Sequence, residues 1–156
     1  MDKTDPPESF GVFKPVGHTV IAYRNLPEMQ AAVDQLTAQG FASADLVRYT
    51  PDEMKTQVDA ELLDASPLAS IGQDLNLIKA HRELAERGCS FLVVNAAKDE
   101  QAERVEAIAR STKAVAAQRY GRFIVEELID APVGEPQVFE SPDRGLDQPA
   151  TDSKTR

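Results

Sequence analysis

The hydrophobic and polar positions of this chain predict two halves, each made of a strand, a helix and a strand. In each half a short β-branched and apolar run is followed by apolar residues at helical spacing and then by a second apolar run. Asn25 and Thr50 each precede a helix start and have a glutamate three residues later, which is the pattern of a capping box. The predicted elements are strands over Thr19–Tyr23 and Asp45–Thr50 around a helix that starts at Leu26, and strands over Ser90–Asn95 and Ala114–Tyr120 around a helix over Asp99–Arg110.

Two further helices are predicted between the halves. The first starts at the Thr50 capping box and ends before Pro67, and the second begins near Ser70 and ends at Gly88. Four adjacent apolar residues, Phe91–Val94, indicate a central strand that is covered on both faces. Two βαβ halves favour an α/β (α+β) fold, a ferredoxin-like sandwich in which one antiparallel sheet carries helices on one face, with two extra helices between the halves. A small parallel-sheet domain is the alternative.

The two ends of the chain lack this periodicity. Residues 1–17 contain proline and glycine without a pattern, and residues 131–156 contain prolines among acidic and polar residues. Neither segment has enough apolar surface to offset the entropy lost on ordering. We therefore expect one domain over residues 18–130, between a disordered N-terminal segment and a disordered acidic, proline-rich tail. Residues 122–129 are ambiguous, because their first part favours a strand and their second part suits a helical turn.

The net charge and the cysteine content of the chain limit the partners and the compartment that we expect. The formal net charge of -9 repels phosphate backbones and anionic lipids, so neither nucleic acid nor a membrane is an expected partner. Cys89 is the single cysteine, which excludes an intramolecular disulfide and fits a reducing compartment. The N-terminus has no hydrophobic region for secretion, and the longest apolar runs are too short to span a bilayer. We therefore expect a soluble, cytoplasmic protein.

Several phrases of the chain resemble the bacterial general-stress (heat-induced stress) protein domain family over about residues 18–121. These phrases are Gln39–Phe41, Ala85–Gly88, Phe91–Val94 and Lys98–Glu103. The chain departs from the family pattern over residues 51–73, which are polar and helical where many members have a Gly/Ala-rich apolar stretch. The resemblance implies a stress-associated accessory protein without an established enzymatic activity, and it provides no catalytic residue and no cofactor.

A tyrosine and an arginine are neighbours in the sequence at three places, Tyr23-Arg24, Arg48-Tyr49 and Arg119-Tyr120. In a ferredoxin-like sheet the first two strands run parallel, so the first two pairs share one edge and the third lies at the opposite edge. Arg24 and Arg48, with Tyr23 and Tyr49 beside them, are the predicted site for a phosphate or carboxylate, which two guanidinium groups bind bidentately. The alternative is that these residues are charged strand ends that extend to water.

His81 and Cys89 are the remaining candidates for chemistry. His81 lies in the apolar stripe of the third helix, which predicts a core histidine with one hydrogen bond, and ligand binding is the alternative. Cys89 is expected to be a buried structural residue, and a Cys–His pair is the alternative. Two histidines without a nearby third ligand predict no metal site.

The leading expectation is a non-enzymatic, stress-associated protein that acts through self-association or a protein partner. An open sheet has edges and one bare face, so a homodimer is expected to cover it, with segment 122–129 as the means. The alternative function is a regulatory domain that binds a small anionic ligand near Arg24 and Arg48.

Overall fold

A computed structural model describes residues 8–9, 12–13, 15–64, 73–121 and 125–129. The described strands are β1 (Glu8–Ser9), β2 (Val12–Phe13), β3 (His18–Tyr23), β4 (Leu46–Tyr49), β5 (Ser90–Asn95), β6 (Ala116–Tyr120) and β7 (Val125–Ile129). The described helices are α1 (Leu26–Ala38), α2 (Pro51–Asp64), α3 (Gln73–Glu86) and α4 (Asp99–Ser111), with a short 3₁₀ turn over Ser43–Asp45. The strands and helices predicted for the two halves are confirmed, with small differences at their ends.

Local side-chain bonds explain where the helices begin. Before α1, Asn25 Oδ1 accepts a hydrogen bond of 2.9 Å from the backbone N–H of Glu28. Before α2, Thr50 Oγ1 accepts from the Glu53 N–H at 3.0 Å, and Glu53 Oε1 accepts from the Thr50 N–H at 2.9 Å. These bonds satisfy backbone donors that the first helical turn leaves without partners. The capping box predicted at Thr50 is thus formed, whereas Asn25 caps α1 without the reciprocal bond, because the Glu28 carboxylate bonds to Arg24.

The main sheet has five strands in the order β4-β5-β3-β6-β7, and each neighbouring pair is antiparallel. The parallel-sheet alternative is therefore wrong. β7 resolves the ambiguity over the last element, because Val125–Ile129 is a strand paired with β6 and not a helical turn. Residues 122–124 lie outside the described part of the chain.

Helices cover both faces of this sheet. On β5, Phe91 and Val93 pack in one hydrophobic cluster with residues of α2 and α3, whereas Leu92 and Val94 pack in a second cluster with residues of α1 and α4. The expectation that helices lie on one face only, with a bare second face, is wrong. The physical reason is the apolar run in β5, since alternate side chains of a strand point to opposite faces and both sets need cover.

The N-terminal segment contains one described ribbon, in which β1 pairs antiparallel with β2. β2 lies against α2. The remaining residues before Pro15 and the tail predicted over residues 131–156 lie outside the described part. Among the helices that the structure describes, none is long and apolar enough to cross a membrane.

Candidate functional site

The two tyrosines predicted to bind a ligand lie in different cores. Tyr23 is buried on the α1/α4 side of the sheet, and its hydroxyl is 2.8 Å from Thr112 Oγ1. Tyr49 is buried on the α2/α3 side. Burial raises the pKa of the Tyr23 phenol, against a smaller lowering by the Thr112 hydrogen bond. Tyr23 is therefore a neutral packing residue at neutral pH.

The two arginines of the predicted anion site are also apart in the sheet. Arg24 follows β3 and donates two hydrogen bonds to Glu28, from Nε at 3.2 Å and from Nη2 at 3.1 Å. Arg48 is exposed on β4, and β5 separates that strand from β3. Arg24 is therefore bonded to Glu28 of the neighbouring helix. The four predicted residues do not form one site, because Tyr23 and Tyr49 lie on opposite faces of the sheet.

His81 is a buried polar group on the α2/α3 side. It is 3% exposed, and its Nε2–H donates to Gln118 Oε1 at 3.0 Å. The Gln118 amide in turn donates to Glu127 Oε1 at 3.4 Å, so the bonds run from α3 through β6 to β7. The His81 ring also meets Phe91 edge-on, with 5.6 Å between the ring centres. Burial lowers the pKa of His81, and the Gln118 hydrogen bond opposes this shift in part.

Cys89 is buried between α3 and β5. Burial raises the pKa of its thiol, and the positive charge of Arg87 opposes that rise only in part. The group is therefore a thiol at neutral pH, whereas a nucleophilic cysteine requires the thiolate. His81 Nε2 donates its hydrogen to Gln118, so this nitrogen has no lone pair to offer the thiol.

The structure assembles a site that the sequence interpretation did not assign. A cleft of about 470 Å³ opens at the end of the sheet where β3 begins and β6 ends. This volume lies in the range of about 300–1,000 Å³ that is typical of small-molecule sites. The described residues that line the cleft are Val16, Gly17, Ala97, Arg119, Tyr120, Gly121 and Glu126.

Gly17 joins three segments of the chain at this cleft. Its N–H donates to the Tyr120 carbonyl at 2.9 Å, and its own carbonyl accepts from the Ala96 N–H at 3.0 Å. Gly17 has a φ of +80°, which L side chains rarely adopt, and an added Cβ would lie 3.6 Å from the Ala97 Cβ. The backbone conformation at this position therefore favours glycine, and this backbone forms one wall of the cleft.

The cleft carries one positive and one negative side chain. Arg119 and Glu126 are cross-strand partners in the β6–β7 pair, so both extend from the same face of the sheet. Arg119 Nη2 donates to Asp99 Oδ1 at 2.6 Å. A guanidinium has five N–H donors, and no other hydrogen bond of the Arg119 side chain to a described residue is found. Glu126 likewise bonds to no other side chain that the structure describes.

Comparison with protein-family models, curated proteins and solved structures found no match to this chain. The site therefore rests on geometry alone. Arg119-Tyr120 was visible in the sequence as one of three Tyr/Arg pairs, but nothing in the pattern distinguished it from the other two. Within the described residues, no group of three or more His, Cys, Asp or Glu residues could hold a metal ion.

Proposed function

We propose that this protein is a non-enzymatic, cytoplasmic accessory protein that binds a small organic anion in the Arg119 cleft. The observation that carries the proposal is a guanidinium with unused donors at the wall of a cleft of small-molecule size. This retains the anionic ligand expected from the sequence and moves it from Arg24 and Arg48 to Arg119. A buried Cys89 thiol is consistent with a reducing compartment.

The strand order supports a ferredoxin-like sandwich as the fold of this binding domain. Two βαβ halves that interleave in one antiparallel sheet place the first strand of each half at the centre and the second strand of each half outside. β3 and β5 are the central pair, with β6 beyond β3 and β4 beyond β5. The helices α2 and α3 are then an addition that covers the second face of the sandwich.

The chemistry of the cleft favours a monocarboxylate over a phosphate. A carboxylate accepts two parallel N–H bonds from a guanidinium, and this pairing is stronger than neutral hydrogen bonds. Asp99 and Glu126 flank Arg119, so a ligand with two or more negative charges would be repelled by two carboxylates. Val16 and Ala97 supply apolar surface for the organic part of the ligand.

Small monocarboxylates are expected to raise the melting temperature of the full-length protein, because a ligand that binds only the folded state stabilises it. Benzoate and phenylacetate at millimolar concentration are suitable probes in a thermal-shift assay, with inorganic phosphate and citrate as multiply charged comparisons. Arg119→Gln is expected to abolish the shift. Arg104→Gln, which removes an exposed arginine that does not line this cleft, is the matched control. Equal shifts for the wild type and Arg119→Gln, or no shift with any monocarboxylate, would contradict the proposal.

Self-association is a second proposal, and the β4 edge supports it. Among the described strands β4 pairs only with β5, so its other side has backbone donors and acceptors that a second copy of the chain can use. β7 is the other edge strand and likewise pairs with one neighbour, β6, so residues 125–129 offer a second edge of the same kind. The stress association rests on the family resemblance.

Light scattering coupled to gel filtration tests the self-association. A dimer is expected at twice the chain mass of 17.0 kDa, with a monomer fraction that grows on dilution. A mass of 17.0 kDa at every protein concentration would rule out the homodimer.

A further inference from the structure

Glu126 is the feature of the cleft that an anion-binding site does not explain. It lines the cleft beside Arg119 and is exposed, and it forms no bond to another side chain among the described residues. Directly opposed residues of an antiparallel pair have Cβ atoms about 4.5–5.5 Å apart, so the two charged groups lie within reach of one small molecule. A carboxylate in this position repels a simple anion and attracts a ligand that also carries a positive charge.

We propose that the ligand of the cleft is a free α-amino acid with an apolar side chain, an inference that rests on the proposed function. The α-carboxylate binds the unused donors of Arg119, and the α-ammonium group binds the Glu126 carboxylate. A zwitterion has no net charge, so the chain's net charge of -9 does not repel it as it repels an anion. Both charged groups of the cleft are then paired in the bound state.

Asp99 acts in this arrangement as a positioning residue. It lies at the first position of α4 and accepts a single bond from Arg119 Nη2, which leaves the Nε and Nη1 donors for the ligand. The Asp99 side chain is 87% exposed, whereas that of Arg119 is 26% exposed. The guanidinium is thus held from the solvent side, and its remaining donors are available to a ligand in the cleft.

The remaining lining selects an apolar side chain on the amino acid. Val16 and Ala97 present carbon surface, and the glycines at positions 17 and 121 leave space beside it. Ligand pockets in general combine mostly apolar walls with a few placed polar groups, and here those polar groups are Arg119 and Glu126. Leucine and phenylalanine fit this chemistry better than aspartate or lysine, whose side-chain charge would lie against apolar walls.

Isothermal titration of the full-length protein with matched probes tests the inference. L-Phenylalanine carries both charges, N-acetyl-L-phenylalanine keeps only the carboxylate, and L-phenylalanine amide keeps only the ammonium group. We expect L-phenylalanine to bind about tenfold or more tightly than either derivative, because each derivative loses one charge-assisted interaction. Glu126→Gln is expected to remove the preference for the free amino acid over its N-acetyl form, whereas Arg119→Gln weakens both. Glu103→Gln, an exposed change on α4 outside the cleft, is the control and should leave all three affinities unchanged.

The outcomes separate this inference from the function on which it depends. If N-acetyl-L-phenylalanine binds as tightly as L-phenylalanine and Glu126→Gln changes neither affinity, the amino acid is rejected while anion binding at Arg119 stands. If neither probe binds, or if Arg119→Gln has no effect on either, both proposals are rejected. Tight binding of aspartate or lysine, with affinities equal to that of phenylalanine, would reject the apolar side chain.

Discussion

Alanine at Phe91 and alanine at Leu92 are each expected to destabilise the domain severely. Both side chains are 0% exposed, and they are neighbours on β5 that point into different helical layers. Truncation of a buried phenylalanine costs about 3–5 kcal/mol and of a buried leucine about 2–5 kcal/mol, from the lost transfer energy and the cavity left behind. Domains of this size have a total stability of about 5–15 kcal/mol, so each change removes a large fraction of it.

Urea unfolding followed by circular dichroism measures both variants. Leu26→Ala is the matched control, because Leu26 is 61% exposed and surface changes are usually within about 0.5 kcal/mol. The two variants also test whether helices cover the second face of the sheet. In a sandwich with helices on one face, one of these two adjacent residues would point to solvent and its truncation would resemble the control. A free-energy loss below about 1 kcal/mol at either site would therefore contradict the three-layer arrangement.

Acidification is expected to destabilise the protein through His81. Burial holds the pKa of the folded imidazole below its ordinary value of 6.5, so the unfolded chain binds more protons in the window between the two values. The stability from the neutral buried imidazole is complete above about pH 6.5 and is lost as the pH falls below it. Each unit by which the pKa of the folded state lies below that of the unfolded state corresponds to about 1.4 kcal/mol of stability.

His81→Gln isolates this contribution. The glutamine side chain has no titratable group, and its amide can still donate to Gln118, which would otherwise keep an unsatisfied buried oxygen. We expect urea midpoints of the wild type to fall between pH 7 and pH 5, and those of His81→Gln to fall less. His18→Gln, which removes the other histidine, is the comparison variant. If the urea midpoints of the wild type and of His81→Gln change equally with pH, His81 does not carry the pH dependence.

The elements of the fold were predictable because their signals are local. Asn25 and Thr50, each with a glutamate three residues later, mark helix starts within four residues of sequence, and both side chains accept the expected backbone bond. The run in β5 likewise specifies a buried strand without reference to the rest of the chain. The face that α2 covers was not predictable, since its buried Met54 and Val58 require an apolar partner but do not indicate which side of the sheet provides it.

The candidate site was harder to predict from the sequence, because it depends on the register in which the strands pair. Gly17 and Tyr120 are joined by a backbone bond, yet they lie at opposite ends of the domain sequence. Whether Arg119 faces Glu126 depends on the pairing of β6 with β7, and a shift of one residue would have placed the two side chains on opposite faces. His81 was different, since its apolar stripe predicted burial with one hydrogen bond, although nothing in the sequence pointed to Gln118 as the partner.

The central position of β3 has a consequence for how the chain folds during synthesis. β3 is translated early, but its two neighbours in the sheet are β5 and β6, which come from the second half. At about 5–20 residues per second, several seconds pass before the ribosome has released both neighbours. During that interval the nascent chain carries Val20–Tyr23 without a pairing strand, an apolar segment of the kind that chaperones bind. Closure of the sheet thus requires contacts between distant parts of the sequence, and such topologies fold more slowly than helical bundles of similar size.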